Sequence, residues 1–199
     1  DGIDTDQKGN KKARQISGLI NEWYLEDLSE NIRAVFDNKR RDGKFIGSFA
    51  PYGYQKDPAD KNRLVVDPEA AAVVREIFHK YRCGAGVHRI ARDLNACGVP
   101  GPQGYRQQKN GAGAGVNGWT HTAVSRVLRN EIYTGVLAQG KKKKISYKSK
   151  RLGDNPCNQR IESKKEGLKI IGKQSYQTDQ KQIGERKRSK EVSQIQRFS

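Results

Sequence analysis

The feature that most constrains the fold is a long stretch without proline, residues 13–42. Its large apolar residues recur at the spacing of one helix face: Ile16, Ile20, Trp23, Leu25, Leu28, Ile32 and Val35. The stretch therefore predicts one helix about 45 Å long. Lys39, Arg40 and Arg41 occupy its last turn, where cations suit the helix dipole, and Gly43 follows as a C-terminal cap.

A helix of this length cannot bury its apolar face within a small domain. We expect the face to pack against a second domain or a second copy of itself, so we predict self-association through residues 13–42 in the full-length protein. The alternative is an ordinary core helix of a monomer.

Basic residues dominate the chain, with 39 Lys and Arg against 22 Asp and Glu and a net charge of +17. The excess is uneven. Residues 1–36 carry five basic and seven acidic side chains, residues 37–140 sixteen and nine, and residues 141–199 eighteen and six. We expect the first segment to pack against protein and the rest to face a polyanion, nucleic acid in the first place.

Several other classes of protein are disfavoured. The three cysteines, Cys83, Cys97 and Cys157, lack the paired spacing of a zinc site and the even count of a secreted disulfide framework. The three histidines show no metal-ligand spacing. We predict no metal, no cofactor, no membrane segment, and a protein that works in the cytoplasm with the nucleoid. Because the chain lacks methionine and opens in a polar stretch, we expect a piece of a longer protein.

The middle of the chain predicts short helices behind a loop. The segment that follows the cap, up to residue 57, is rich in Gly and aromatics and favours a loop or short strands. Its candidate contacts to a phosphate backbone are Lys44, Tyr52, Tyr54 and Lys56, and the alternative for the two tyrosines is to plug the edge of a small core. Residues 67–82 predict a helix with Asp67 as N-cap, and residues 86–98 a second one. Their apolar positions predict an inward face: Ala71, Val74, Ile77, Phe78, Tyr81, Val87, Ile90, Ala91 and Leu94.

After residue 99 the composition predicts a flexible loop up to residue 118. Helical order resumes with Thr120 or Thr122 as cap and with Val124, Val127 and Leu128 facing inward. From residue 141 the lysine- and glutamine-rich tail predicts irregular structure. The fold class is thus mainly α, with a long N-terminal helix, a compact helical domain with short β and loop elements, and a basic irregular tail.

The predicted helix at residues 86–98 and the one that begins near Thr120 together predict a helix-turn-helix-like unit. Its second helix is expected to enter the DNA major groove. Arg126 and Arg129 can each offer a pair of hydrogen-bond donors to guanine, while Ser125 and His121 can reach phosphates or base edges. A solvated basic face on a helical core is the alternative. The predicted DNA-binding residues are Lys39, Arg40, Arg41, Lys44, Tyr52, Tyr54, His88, Arg89, Arg92, Thr120, His121, Thr122, Ser125, Arg126, Arg129, Lys141, Lys142, Lys143 and Lys144.

The order of motifs carries a family resemblance. DGIDT, LSENIRAVFDNKRRDGKFIG, APYGYQKD, LVVDPEAAAVVREIF, IARDLNACGVP and WTHTAVSRVLRNEIYTG together resemble the large serine recombinases, over residues 1–151. The resemblance implies the end of a catalytic domain with a long helix in residues 1–43, a recombinase DNA-binding domain in residues 44–140, and a tail in residues 141–199. It also implies strand exchange through a phosphoserine link without a required metal.

This sequence departs from the family pattern at both ends. The segment expected to carry the nucleophilic serine is not found, so no catalytic residue is assigned, and Glu30 and Arg33 match the pattern of the long helix only loosely. The zinc-ribbon cysteines expected after Arg151 are also not found. We therefore predict a recombinase segment that binds DNA without cleaving it. A non-enzymatic DNA-binding regulator and, less favoured, a basic RNA-associated protein are the alternatives.

Overall fold

The computed structural model of the chain describes residues 8–111, 118–144, 148–149, 151–156 and 160–195. As predicted, the fold is mainly α. The helices are α1 (Lys8–Arg41), α2 (Pro68–Arg82), α3 (Val87–Ala96), α4 (Pro102–Lys109), α5 (His121–Leu128) and α6 (Lys173–Ile195). Short strands pair two by two: β1 (Tyr54–Lys56) with β2 (Leu64–Val66), β3 (Val136–Gln139) with β6 (Ile161–Lys164), and β4 (Lys142–Lys144) with β5 (Leu152–Asp154).

The chain divides into two compact units. The helix–hairpin unit contains the residues up to Ile46 together with Ala138–Glu162, and the helical unit contains Gly47–Leu137 together with the residues from Ser163 onward.

In the helix–hairpin unit, α1 confirms the predicted long helix and its cap. Gly43 adopts a φ of 70°. Its amide donates to the Arg40 carbonyl oxygen at 2.9 Å, and the Lys44 amide donates to the Lys39 carbonyl oxygen at 2.9 Å. This pair of bonds is the Schellman motif, in which a left-handed residue ends the helix, and glycine adopts that conformation without steric cost.

The apolar face of α1 is exposed in this chain. Its large side chains retain between 42% and 66% of their accessible surface: Ile16, Leu19, Ile20, Trp23, Tyr24, Leu25, Leu28, Ile32, Val35 and Phe36. Helix α1 is therefore not the ordinary core helix considered as the alternative.

The helical unit is built on α2, α3 and α5. Their predicted inward residues are buried, including Val74, Phe78, Ile90, Leu94 and Val124, except for Val87, which is half-buried. Thr120 caps α5, since its hydroxyl accepts from the Ala123 amide at 3.2 Å. Thr120, and not Thr122, is therefore the N-cap of α5.

The predicted flexible loop contains a helix. Residues 102–109 form α4, which begins with a proline in its first turn. Tyr105 and Lys109, one turn apart on α4, both reach the Asp67 carboxylate, at 2.8 Å and 2.9 Å. These tertiary bonds hold a segment whose Gly and Pro content had indicated flexibility. Residues 112–117 of the predicted loop lie outside the described residues.

The prediction of an irregular tail is wrong for residues 160–195. That segment contains β6, a 3-10 turn at Glu166–Leu168, and α6. Four of its large apolar side chains are buried: Leu168, Ile170, Ile171 and Tyr176. The amides of Ile170 and Ile171 both donate to the Tyr133 carbonyl oxygen, at 2.9 Å and 2.8 Å. A small number of well-placed apolar residues thus anchors a segment of mostly polar composition.

Candidate nucleic-acid interface

The outer face of α5 carries the polar residues that the sequence singled out. His121, Thr122, Arg126 and Arg129 are exposed, and Ser125 is half-buried. Positions 122, 125, 126 and 129 follow helical spacing and share one side of the helix. The opposite side, formed by Val124, Val127 and Leu128, is buried in the helical unit. The short helix is thus anchored on one side and presents its polar side to solvent.

The two arginines of this face have no acidic partner among the described residues. Neither Arg126 nor Arg129 takes part in an ion pair there. Their guanidinium groups therefore remain available for an acceptor outside the chain, and a guanidinium offers paired donors to one.

Helix α3 adds a second group of exposed polar residues beside α5. The rings of His88 on α3 and His121 on α5 stack, with centroids 4.3 Å apart and planes inclined by 18°. Arg89 and Arg92 are exposed on the same helix, and Arg89 lies at the 4.0 Å limit of an ion pair with Asp93. The structure therefore brings His88 of α3 next to His121 of α5.

An open cleft of about 540 Å³ borders the α5 face. Arg126 and Val127 of α5 line one side, and Tyr52 and Pro102 line the other. The Tyr52 ring packs edge-on against Trp119, with centroids 4.9 Å apart, and against Tyr105, at 5.5 Å. Tyr52 is half-buried and forms the wall of this cleft.

Tyr54 does not belong to the interface, contrary to the prediction. It is buried, and its hydroxyl lies 3.0 Å from the Ile132 carbonyl oxygen and 2.6 Å from the Leu168 carbonyl oxygen. The second option from the sequence, a tyrosine that plugs the core, is the correct one, because later segments of the chain cover Tyr54, whose ring stacks on that of Tyr133 with centroids 5.7 Å apart.

A small polar cluster fixes α4 at the start of α2. Burial alone would raise the pKa of Asp67, but the hydrogen bonds from Lys109 and Tyr105 outweigh burial and lower it. Burial and the bond to Asp67 raise the pKa of Tyr105 to about 12. Asp67 is therefore a carboxylate and Tyr105 a neutral donor at physiological pH. This cluster was not predicted, because the composition of residues 102–109 indicates a loop.

The remaining predicted cations lie in the helix–hairpin unit. Lys39 and Arg40 are half-buried at the end of α1, and Arg41 and Lys44 are exposed there. Lys142 and Lys143 are exposed on β4, Lys141 precedes that strand, and Lys144 ends it. A second cleft, within the helix–hairpin unit, is lined by Arg40, Lys142 and Lys143 together with Arg33 and Arg160, neither of which is among the predicted DNA-binding residues.

The described part of the chain contains no group of three or more His, Cys, Asp or Glu residues placed to hold a metal ion. In the same residues, no helix has the length and apolar character needed to span a bilayer.

The model of the Recombinase family matches residues 68–186, and this chain therefore belongs to the Recombinase family. A solved structure from work on the sequence requirements of the Listeria innocua prophage attP site is similar to this chain, with 17% identity and a TM-score of 0.45. The match covers 76% of this chain and 50% of that one, so this chain spans half the length of that structure.

Proposed function

We propose that this chain supplies duplex-DNA binding to site-specific recombination and that the outer face of α5 reads the DNA sequence in the major groove. The observation that carries the proposal is the exposure of Arg126 and Arg129, without acidic partners among the described residues, on a helix whose other side is buried. Family membership supports the recombination part of the proposal.

The chemistry of the α5 face suits base edges. An arginine donates two parallel hydrogen bonds to O6 and N7 of guanine, which in the major groove distinguishes this base from the other three. The hydroxyls of Thr122 and Ser125 suit phosphate oxygens or base edges. Exposed Arg89 and Arg92 on α3 suit the DNA backbone on one side of the groove. This is a helix-turn-helix-like use of α3 and α5, although the connection between them is long and contains α4.

The proposal is tested by selecting binding sites from randomised duplexes with the full chain and then measuring affinity for the selected and scrambled duplexes. Arg126→Ala and Arg129→Ala are each expected to weaken binding to the selected site by about 1–3 kcal/mol and to reduce discrimination against the scrambled one. Arg75→Ala, which removes an exposed arginine from α2, serves as the control. Equal effects of all three substitutions on both duplexes would contradict the proposal.

We assign no nucleophile in this chain, and DNA cleavage provides a separate test. The selected duplex incubated with the chain is expected to show no covalent protein–DNA product on a denaturing gel. A 5′-phosphoprotein product would show that the chain cleaves DNA by itself.

We also propose that the exposed apolar face of α1 mediates self-association in the recombinase. Side chains such as Ile20 and Trp23 retain more than half of their accessible surface, and contiguous apolar surface of this kind marks protein interfaces. Sedimentation should show association of the chain, and Ile20→Glu combined with Trp23→Glu should weaken it, whereas Lys12→Glu should not. A monomer at all accessible concentrations would contradict this role for α1 in the chain.

A further inference from the structure

A second cationic site lies in the helix–hairpin unit. Its lining cations, here called the basic cleft, are Arg33, Arg40 and Arg41 from α1, Lys142 and Lys143 from β4, and Arg160. The cleft has a volume of about 550 Å³. These cations come from three separate segments of the chain, and only the fold brings them together.

The chain leaves most of this positive charge uncompensated. Asp37 is the one carboxylate that lines the cleft among the described residues, and it pairs with Arg40. The other five cations form no ion pair within the described part of the chain. The Nε atoms of Arg40 and Arg160 are enclosed and have no acceptor there. Like charges gathered in a partly enclosed space repel each other, and a bound anion would relieve this repulsion.

Hydrogen bonds hold the two sides of the cleft together. The Gln139 side chain accepts from the Ile46 amide at 3.1 Å and donates to the Lys44 carbonyl oxygen at 2.8 Å. The Asn155 side chain donates to the Gly140 carbonyl oxygen at 2.7 Å. The end of α1 and the base of the β4–β5 hairpin are therefore fixed to each other, and the cations converge before any ligand binds.

We infer that the basic cleft binds a backbone phosphate of duplex DNA, as a contact separate from the α5 face. The inference rests on the proposed function in taking DNA as the ligand. Arginine and lysine side chains donate to phosphate oxygens, and such contacts carry no sequence information. The basic cleft therefore strengthens binding to every duplex equally, while α5 provides the discrimination.

The salt dependence of binding tests this division. Affinity of the full chain for a duplex of random sequence is measured over a salt series, for the wild-type chain and for Arg160→Gln and Lys143→Gln. Each substitution is expected to lower the affinity about three- to tenfold at low salt and to reduce the slope of log K against log salt by about 1, because one phosphate contact is lost. The ratio of affinities for selected and random duplexes should stay unchanged.

Lys12→Gln serves as the matched control, because it removes an exposed cation from α1 outside the cleft. The inference would be overturned if Arg160→Gln and Lys143→Gln kept the wild-type salt slope. It would also be overturned if they lost no more affinity for the random duplex than Lys12→Gln does. Failure of this inference is distinguishable from failure of the α5 proposal, because only α5 variants are expected to change the discrimination between selected and random duplexes.

A second measurement separates DNA phosphate from free phosphate. Inorganic phosphate is titrated while the Nε–Hε signals of Arg40 and Arg160 are followed by NMR. The signals are expected to shift at millimolar phosphate, and random duplex DNA should displace the phosphate at micromolar concentration. Phosphate that duplex DNA fails to displace would overturn the assignment of the site to DNA.

Discussion

The side-chain amide of Asn95 makes two hydrogen bonds with the backbone of Trp119. Its nitrogen donates to the Trp119 carbonyl oxygen at 2.9 Å, and its oxygen accepts from the Trp119 amide at 2.6 Å. Asn95 lies near the end of α3, and Trp119 immediately precedes the cap of α5. This pair of bonds therefore fixes the start of α5 relative to α3, and with it the direction in which the α5 face points.

Asn95→Ala should destabilise the helical unit by about 1–3 kcal/mol, because both backbone groups of Trp119 lose their partner. Gly118→Ala should also destabilise it, since a Cβ atom there would lie 2.6 Å from the Asn95 side-chain oxygen. Urea unfolding measures both effects, with Asn62→Ala as the control because its side chain makes no hydrogen bond within the described residues. A cost for Asn95→Ala no greater than for Asn62→Ala would contradict this role.

The buried residues after β6 should be required for stability. Ile171→Ala is expected to cost about 2–4 kcal/mol, because it removes a buried side chain and leaves a cavity. Leu152→Ala makes a similar change at an exposed position and should cost less than about 0.5 kcal/mol. Equal costs in a denaturation experiment would show that the segment does not pack as the structure describes.

Asp179 should limit stability at neutral pH. The carboxylate is completely buried on α6, and neither oxygen accepts a hydrogen bond among the described residues. Burial raises its pKa, although Arg82, with its Nε 3.9 Å away, acts in the opposite direction. The stability contributed by this residue is therefore full below the pKa of the unfolded chain and is lost as the pH rises through the folded value.

The substitution D179N removes this pH dependence, because an amide stays neutral. It should raise the free energy of unfolding by about 1–2 kcal/mol at pH 7, and the gain should vanish near pH 4. Denaturation of both proteins across this range makes the comparison. A less stable D179N at pH 7 would instead show that the ionised carboxylate and Arg82 form a net stabilising pair.

Local patterns predicted the elements whose apolar spacing is regular. Helices α1, α2, α3 and α5 follow from their spacing, and Arg126 and Arg129 are exposed as their positions on α5 require. Asp67 occupies the predicted N-cap position of α2, but its side chain makes no cap hydrogen bond. Helix α4 did not follow, since its stability depends on the bonds of Tyr105 and Lys109 to Asp67, far away in the sequence.

Longer-range packing accounts for the other differences. The largely polar α6 shows no apolar stripe that would predict its packing. It is held by individual contacts, one of which places the Arg186 guanidinium 4.6 Å from the Tyr81 ring centre. In the same way, the exposure of Tyr54 could not be judged without the segments that cover it. The basic cleft joins Arg33 to Arg160, and no local pattern connects two residues so far apart.

A double-substitution cycle tests whether the outer face of α5 lies in the major groove. Each guanine of the selected site is replaced in turn by 7-deazaguanine, which removes the N7 acceptor, and binding is measured for the wild-type chain, Arg126→Ala and Arg129→Ala. At one guanine or more, we expect the effects of the base change and of an arginine substitution to be non-additive by about 1–3 kcal/mol. Additive effects at every guanine for both arginines would contradict this expectation.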